Sequence, residues 1–321
     1  IKPGASPGLS SHIIGFTITH GRGRTVTQTQ GTGTITKSVG GGIYVDNNSP
    51  ILTRNKIVEN DADDEGGGSY AFQGLPNLGG MVGIGRINLG GNLFRDNQAD
   101  LGRDIYVDGV GFRDEIKAQN CGFSVFAAAD TTVSTYWATS AAPIDFKGGQ
   151  GERQAITSDI WVATDGSNAN SGTSPGSPFL SIDYALSLAY GSQANPLTIH
   201  VAPGVYAPST TGERFPLQMI SWVTLAGSGT DETFLDAEAT VDMPNRVINM
   251  DKVQGSTVRD LTIAGGVVTA GKGLNGGGIA VVDAEVNLNN LTALNCSAAG
   301  DGGCLHIMAS NADCDELDIS S

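Results

Sequence analysis

The sequence predicts an all-β protein, a single-stranded parallel β-helix in which short strands stack from one turn of the chain to the next. Glycine is the first indication, since 46 of the 321 residues are glycine, about twice the usual share. Glycine favours turns over helices. The second indication is a repeated motif of the form Asn-x-apolar-x-x-Asn. The third is a spacing of about 25 residues between equivalent strand-like segments.

The motif occurs as NKIVEN at 55–60, as NLFRDN at 92–97 and, with a polar third position, as NLTALN at 290–295. A unit of three short strands cannot bury its apolar residues alone, but stacked units can, because each strand then pairs in parallel with the one above. Asparagine suits the bends because it tolerates left-handed backbone angles, and its amide can bond to a copy of itself one turn away. Leucine-rich repeats, the alternative solenoid, need a leucine frame and return helices that this sequence lacks.

One short capping helix is expected near residues 181–189. Ile182, Ala185 and Leu186 lie at helical spacing behind Ser181, whose side chain is a favourable N-cap. Elsewhere glycine and proline are too frequent for helices, so the rest of the chain is expected to be strand and turn.

A longer period of roughly 240 residues overlies the short one. Three pairs of segments recur at about this distance: IIGFTI at 13–18 with VRDLTI at 258–263, GGGIYV at 40–45 with GGGIAV at 276–281, and NKIVEN at 55–60 with NLTALN at 290–295. We therefore expect two domains, the coils of a partial copy at 1–150 and a second β-helix module at 151–321 that begins with its opening segment. No polar cap is evident at either end, so the ends stack head to tail into a fibre or belong to a longer tandem array.

Two sets of residues resemble known β-helix proteins. NKIVENDADDEGGGSYAF, NLFRDNQADLGRDIYV and NLTALNCSAAGDGGCLHI are similar to repeats of the pectin-lyase-like superfamily, especially the polymorphic outer membrane proteins. The run IWVATDGSNANSGTSPGSPFLSIDYALSLA, with LTIHVAPGVYA and VTLAGSGTDETFLDA after it, resembles the opening of secreted bacterial and archaeal β-helix domains of unknown function. The resemblance implies a right-handed β-helix at an extracellular or cell-surface location. It implies no activity, because such domains include lyases, hydrolases, adhesins and structural modules.

The charge balance argues against several classes of partner. The chain has 18 Lys and Arg against 33 Asp and Glu, a net charge of −15. Binding to a phosphate backbone requires clustered basic residues, so nucleic acid is not an expected partner. No segment reaches the roughly 18 consecutive apolar residues of a membrane-spanning helix, so no membrane insertion is expected.

No catalytic residues are predicted, and the protein is expected not to be an enzyme. The Gly-His-Gly and Arg-Ile-Lys motifs typical of pectin-type hydrolases are missing, and EIK at 115–117 lacks the arginine. Polysaccharide lyases need a Lys or Arg base beside carboxylates that bind Ca²⁺, and no lysine lies in such a motif. The alternative is a Ca²⁺-dependent polysaccharide lyase or a glycoside hydrolase whose residues come from distant coils.

The sequence requires no cofactor, but two acidic turns are candidates for Ca²⁺. Asp61, Asp63, Asp64 and Glu65 form one turn that is either a solvated surface or a weak Ca²⁺ site. Asp165 begins the polar turn DGSNANSG, whose oxygens either bind Ca²⁺ or cap the turn.

The histidines and cysteines show no metal-ligand spacing. His12, His20, His200 and His306 are expected to be strand or turn residues. The cysteines are interpreted as buried thiols or as one disulfide, with the pairing left open among Cys121, Cys296, Cys304 and Cys314.

Tyr44, Tyr70 and Tyr106 occupy the same strand position in three successive coils, so they are expected to stack about 4.8 Å apart. If these side chains face outward, they form an aromatic stripe that can stack on sugar rings. The alternatives are a ladder that only stabilises the sheet, or tyrosines that face the core.

Together these features predict a non-catalytic structural or adhesive protein, secreted or on the cell surface, that assembles end to end or forms part of a tandem array. The expected partner is a second copy of the chain, with a surface polysaccharide as a further partner. A carbohydrate-binding module without chemistry is the second alternative, and it depends on the tyrosine stripe.

Overall fold

The computed structural model describes residues 12–30, 33–46, 50–72, 89–99, 102–108, 116–126, 136–138, 144–269 and 275–320. It is a right-handed parallel β-helix of about seven turns with one short helix, which confirms the predicted fold class. The chain divides into two compact units. Unit 1 comprises Ile1–Gln28 and Lys37–Gln154, and unit 2 comprises Thr29–Thr36 and Ala155–Ser321.

Unit 1 is built on three parallel faces, and each turn of the chain, here called a rung, adds strands to these faces. The first face pairs β1 (His12–Ile14) with β6 (Ile51–Thr53), and β11 (Ile116–Lys117) with β14 (Ile144–Asp145). The second face contains β2 (Thr17–Thr19), β7 (Lys56–Val58), β9 (Leu93–Arg95), β12 (Gly122–Phe126) and β15 (Gln150–Gln154). The third face contains β5 (Ile43–Asp46), β8 (Ser69–Phe72), β10 (Ile105–Asp108) and β13 (Tyr136–Ala138). Two further strands, β3 (Arg24–Gln30) and β4 (Gly33–Val39), pair with one another.

The core of unit 1 is formed by alternate side chains of these strands. In β5, Ile43 and Val45 are buried in the main apolar cluster, whereas Tyr44 between them belongs to a different cluster. Phe94 and Phe123, from paired strands of the second face, stack with ring centroids 5.7 Å apart. A rung thus covers the apolar side chains of the next rung, as the repeat length predicts.

The structure corrects the expected role of asparagine at the bends of unit 1. At the motif, the left-handed residues are Arg54, Glu59 and Asp96, with φ of 58°, 55° and 53°, and each precedes an asparagine; Asn120, outside the motif, is itself left-handed with φ of 55°. Directly after such a corner residue, the asparagine side chain turns into the bend and is buried. Its value at this position is therefore its amide and not a tolerance of left-handed angles.

The asparagine amides bond from rung to rung, as predicted. Asn55 Nδ2 donates to Asn92 Oδ1 at 3.2 Å, and Asn60 Nδ2 donates to Asn97 Oδ1 at 3.1 Å. The backbone N–H of Asn55 also donates to Asn92 Oδ1, at 2.9 Å. Because a side-chain oxygen takes the place of a backbone carbonyl here, the ladder of backbone hydrogen bonds is interrupted between the first and second faces.

The third copy of the motif lies in a different register from the first two. Asn290 and Asn295 are themselves left-handed, with φ of 48° and 51°. Cys296 occupies the position that Asn60 has in unit 1. The Cys296 thiol donates to the carbonyl of Leu294, two residues earlier, at 3.3 Å. Asn60 Nδ2 likewise donates to the carbonyl two residues before it, at 3.1 Å. The sequence match between the two motifs is therefore one residue out of register.

Unit 2 also stacks its strands in parallel. The largest sheet contains β16 (Ile160–Val162), β17 (Leu197–Val201), β18 (Gly204–Tyr206), β20 (Val223–Ala226), β21 (Thr233–Asp236), β23 (Gln254–Ala264), β26 (Glu285–Leu294) and β29 (Asn311–Ser320). A second sheet contains β19 (Leu217–Gln218), β22 (Ile248–Asp251), β25 (Ile279–Val282) and β28 (Leu305–Met308), and a third pairs β24 (Val267–Val268) with β27 (Ser297–Ala298). The three long strands β23, β26 and β29 continue through the bend that divides strands in unit 1.

The expected helix is present as α1 (Ile182–Leu188), with Ser181 as its N-cap. Glu213 satisfies the two N–H groups that follow, since its carboxylate accepts hydrogen bonds from Ile182 N at 2.9 Å and Asp183 N at 2.6 Å. The apolar side of α1 packs against β16, β17 and β19. The helix therefore covers the first rung of unit 2, as a capping helix does.

Candidate functional site

The three tyrosines form one ladder on the third face of unit 1. Tyr44, Tyr70 and Tyr106 pair in register, their ring centroids are 5.6 and 5.4 Å apart, and the rings are nearly parallel. Tyr70 and Tyr106 are only 1% and 4% exposed and pack with Val39, and the guanidinium of Arg24 lies 4.9 Å from the ring centre of Tyr44. This burial favours a ladder that stabilises the sheet over a stripe that binds sugar rings.

The acidic turn of unit 1 directs its carboxylates to separate partners. The contacts are Asp61 with Arg22 at 3.7 Å, Asp64 with the N–H of Ser38 at 2.7 Å and Glu65 with Lys37 at 2.5 Å, while Asp63 is exposed. In unit 2, Asp165 is exposed. Across the described residues, no three His, Cys, Asp or Glu side chains come together as a metal site.

The four cysteines are free thiols. Burial raises the pKa of the Cys121 thiol to about 11, and burial together with the neighbouring Cys304 raises the pKa of Cys296 to about 12. Both thiols are protonated at neutral pH, and a thiol in that state is a poor nucleophile.

Sequence reasoning missed an arrangement at the start of unit 2. Trp161 of β16 pairs with His200 of β17, and their rings stack with centroids 5.1 Å apart and planes 19° apart. His200 Nε2 lies 3.0 Å from Asp159 Oδ2. The other oxygen of Asp159 accepts a hydrogen bond from the N–H of Thr198 at 2.9 Å. The three side chains thus hold one another in place on the outer face of the sheet.

The contact with Asp159 decides which nitrogen of a neutral imidazole carries the proton. Partial burial raises the pKa of Asp159, but the hydrogen bonds from His200 and from the Thr198 N–H lower it by more, so the pKa lies below its ordinary value. Asp159 is therefore ionised at neutral pH and can only accept hydrogen bonds. The proton of a neutral His200 must then lie on Nε2, which leaves Nδ1 as an acceptor.

A pocket of about 280 Å³ opens beside the two rings. Trp161, His200 and Ala226 occupy successive rungs at the same strand position, and the change from two rings to one methyl group leaves space next to the imidazole. Ser228 lines the pocket as well. Rigid walls are added by three prolines, Pro175, Pro178 and Pro203.

The signal that could have found this site was the alternation within two strands. In IWV at 160–162 and LTIHV at 197–201, the apolar residues on either side of Trp161 and His200 are buried, so the aromatic side chains face outward. Spacing along the chain gave no hint, because nearly forty residues separate the two strands. Only the pairing register brings Trp161 and His200 together.

The first rung of unit 1 and the last rung of unit 2 are two further candidate surfaces. In unit 1, β1 and β2 pair on one side only, with β6 and β7, and in unit 2 β28 and β29 pair on one side only, with β25 and β26. These rungs carry exposed apolar side chains: Ile14, Phe16, Ile307, Met308 and Ile319. No helix in the part of the chain that the structure describes is long and apolar enough to cross a membrane.

Comparison with known proteins gives one match. No curated protein and no solved structure matches the chain. Residues 164–300 match the model of a family described as a protein of unknown function, DUF1565. The matched segment includes α1, His200 and most of the strands of unit 2, while Asp159 and Trp161 lie just before it. Over 164–300, therefore, the chain is similar to the DUF1565 family, a similarity that accords with the β-helix observed.

Proposed function

We propose that the protein is a non-catalytic structural or adhesive β-helix of the cell surface or the extracellular space, which stacks end to end or within a longer array. The observation that supports this proposal is the outer rung of unit 2. β29 has ten residues, pairs only with β26 among the described strands, and leaves the Ile319 side chain 54% exposed. An unpaired strand edge beside apolar side chains is a template for another strand.

The outer rung of unit 1 is a suitable partner for this edge. Its β1 and β2 have one unpaired side among the described strands, and Phe16 is 61% exposed. The side-chain charges of the two rungs are opposite: residues 12–24 contain Arg22 and Arg24 and no Asp or Glu, whereas residues 297–320 contain no Lys or Arg and five acids, Asp301, Asp313, Asp315, Glu316 and Asp318. Opposite charge favours a contact between unlike ends over a contact between like ends.

A contact between unlike ends is heterologous, so it does not close on itself unless the rotation between copies forms a ring. Repetition therefore produces a filament. Such a contact needs neither a cofactor nor a metal. A filament that carries many copies of one lateral surface is suited to adhesion to a surface polysaccharide, because many weak contacts act together.

The experiment compares the chain with an Ile319→Lys variant by sedimentation velocity over a range of protein concentrations. Lysine on an unpaired edge opposes strand pairing, so we expect association of the unsubstituted chain and loss of association in the variant. Association should also weaken as salt rises, because the charges at the junction are screened. The matched control is Val241→Lys, which places the same charge at another exposed apolar residue, 74% exposed; this variant should associate normally.

Two results would refute the proposal. One is a full chain that sediments as a monomer at every concentration. The other is an Ile319→Lys variant that associates as the unsubstituted chain does while its circular dichroism spectrum and melting temperature show an intact fold.

A further inference from the structure

We propose that the pocket beside Trp161 and His200 is a binding site for a neutral saccharide. The proposal does not depend on end-to-end stacking, because the pocket lies at the start of unit 2 and the unpaired strand β29 lies at the far end of the same sheet. It also uses residues other than the tyrosine ladder. Four features of the pocket carry it: a fixed aromatic ring, paired donors and acceptors, the local charge and the volume.

The aromatic ring is Trp161. A tryptophan offers a large apolar face together with one N–H donor, and the C–H side of a sugar ring packs against such a face. Here the ring is held in position, since His200 stacks on it at 5.1 Å and Asp159 anchors the imidazole at 3.0 Å. A ring that is already fixed loses little conformational entropy when a ligand binds.

The polar groups around the ring suit hydroxyl groups, each of which both donates and accepts. His200 Nδ1 and the indole N–H of Trp161 have no partner among the residues that the structure describes. They supply an acceptor and a donor respectively. Ser228 Oγ donates to the carbonyl of Val201 at 2.9 Å, so its lone pairs remain as a further acceptor. Trp161, His200 and Ser228 all line the pocket, so two acceptors and a donor are available to the hydroxyl groups of a sugar.

The charge distinguishes between classes of sugar. Asp159 is ionised, its side chain is 45% exposed, and it lies next to the pocket. No Lys or Arg lines the pocket, and the chain as a whole carries −15. An acidic sugar would be repelled by the Asp159 carboxylate and would find no basic side chain in the lining, so the site favours a neutral sugar. A quaternary ammonium ion would suit the charge, but it is recognised by a cage of several aromatic rings, and Trp161 is the single tryptophan, tyrosine or phenylalanine in the lining.

The volume limits the size of the ligand. About 280 Å³ is at the lower end of the range for small-molecule sites. The pocket can therefore hold one sugar ring, with the remainder of a chain lying across the surface. Binding of this extent is weak for a single site and becomes useful when many sites act together.

The test is isothermal titration calorimetry of the full chain with three neutral probes, cellopentaose, mannopentaose and chitopentaose. Pentagalacturonate and choline serve as the acidic and cationic comparisons. We expect a dissociation constant of about 1 mM or lower for at least one neutral probe, and binding of pentagalacturonate that is at least about 10-fold weaker.

Two variants locate the site. Trp161→Ala should weaken binding of that probe by about 10-fold or more, and His200→Gln, which keeps a polar side chain but removes the ring, should weaken it by about 3-fold or more. The matched control is Trp222→Ala, because Trp222 packs over Gly255 and does not line the pocket; its affinity should stay within about twofold. Circular dichroism shows whether each variant is folded.

Three results would overturn the proposal. The first is that no neutral probe binds at concentrations up to about 10 mM. The second is tighter binding of pentagalacturonate or choline than of every neutral probe. The third is unchanged affinity in folded Trp161→Ala and His200→Gln proteins, which would place the sugar elsewhere on the chain.

Discussion

Units 1 and 2 both stack their strands in parallel, but different side chains fill their bends. In unit 1 the left-handed corners at Arg54 and Gly91 are followed by Asn55 and Asn92, whose amides bond to one another from rung to rung. In unit 2 the equivalent position holds a leucine, and Leu261, Leu291 and Leu317 pair in register along β23, β26 and β29. In unit 1 the side chains that fill this bend are joined by hydrogen bonds, whereas in unit 2 they make apolar contacts and the hydrogen bond lies between the corner residues, from Asn290 Nδ2 to Asp260 Oδ1 at 2.8 Å.

This difference explains the lengths of the strands. An asparagine side chain in the bend accepts a hydrogen bond from the backbone N–H that would otherwise continue the ladder. Asn92 Oδ1 accepts such a bond from the N–H of Asn55, at 2.9 Å. A leucine makes no such bond, so the backbone ladder continues and the strands reach ten or eleven residues. The geometry of the bend thus requires a side chain that fills it, and either an amide network or a leucine ladder meets that need.

The largest expected effect is the loss of one amide in unit 1. Asn92→Ala removes the acceptor for two donors of Asn55, and it removes the donor to the carbonyls of Leu52 at 2.6 Å and Leu89 at 2.7 Å. Several buried polar atoms are then left without partners, and we expect a loss of about 4 kcal/mol in the free energy of unfolding of unit 1. Hydrogen exchange of unit 1 peptides measures it.

The control for this variant is Asn170→Ala. Asn170 is exposed and donates one hydrogen bond, to the carbonyl of Pro178 at 2.7 Å, so its loss should change stability by no more than about 0.5 kcal/mol. Equal effects of the two substitutions would mean that burial of the amide network contributes nothing to unit 1.

Loss of a leucine side chain in the corresponding bend of unit 2 should lower the free energy of unfolding by somewhat less. Leu291 is 4% exposed, and Leu291→Ala creates a cavity, for which we expect a loss of about 3 kcal/mol. No hydrogen bond is broken, so the amides of β26 should keep their relative protection from hydrogen exchange. Ile307→Ala, at a side chain that is 40% exposed, is the comparison and should cost about 0.5 kcal/mol. A selective loss of protection along β26 would show that this bend also depends on hydrogen bonding.

The amide network of unit 1 should also make that unit sensitive to pH. Asp104 is buried and accepts a hydrogen bond from Asn97 Nδ2 at 2.8 Å. Burial raises the pKa of Asp104 from 3.8 to about 7. The folded state therefore favours the protonated carboxyl, so the stability that this residue contributes is present below about pH 4 and is lost as the pH rises towards 7.

Asp104→Asn tests this linkage, because an amide resembles the protonated acid in shape and carries no charge. At pH 8 the variant should be more stable than the unsubstituted chain by about 1.5 kcal/mol, less than the full pKa shift would give, because the amide must itself be desolvated. At pH 4 the two proteins should be equal. Urea unfolding at both pH values measures the difference, and a variant that is less stable at pH 8 would contradict the assignment.

The smallest effect is expected when one residue of unit 2 is replaced by the residue at the equivalent position of unit 1. Cys296 lies where Asn60 lies in unit 1, and Cys296→Asn should place an amide within reach of the carbonyl that now accepts the thiol. We expect a change in stability within about 1 kcal/mol, measured by thermal unfolding. A loss several times larger would show that the equivalent residue is Asn295, as the sequence motif has it.

The repeat and its strand positions could be predicted because they depend on local composition. Alternation in IYV, and the return of Tyr44, Tyr70 and Tyr106 to the same position of successive strand-like segments, were enough to predict one ladder of side chains. The helix at Ile182–Leu188 follows from its N-cap and apolar spacing.

The remaining features depend on contacts between distant parts of the chain, and residue spacing along the sequence does not reveal such contacts. The burial of Tyr70 and Tyr106 depends on what covers the third face, and alternation within a strand does not show whether an outer face is covered. The corner residues before the asparagines could not be identified, since Arg54 and Glu59 have no special tolerance of left-handed angles and are held there by the rungs around them. The Trp161 and His200 pair depends on register between distant strands.

The most direct measurement is electron cryomicroscopy of the assembled protein. We expect filaments in which the rung spacing of about 4.8 Å continues without a break from β29 of one copy to β1 and β2 of the next. Particles that are dispersed, or filaments whose copies meet through their lateral faces with β29 left unpaired, would contradict it.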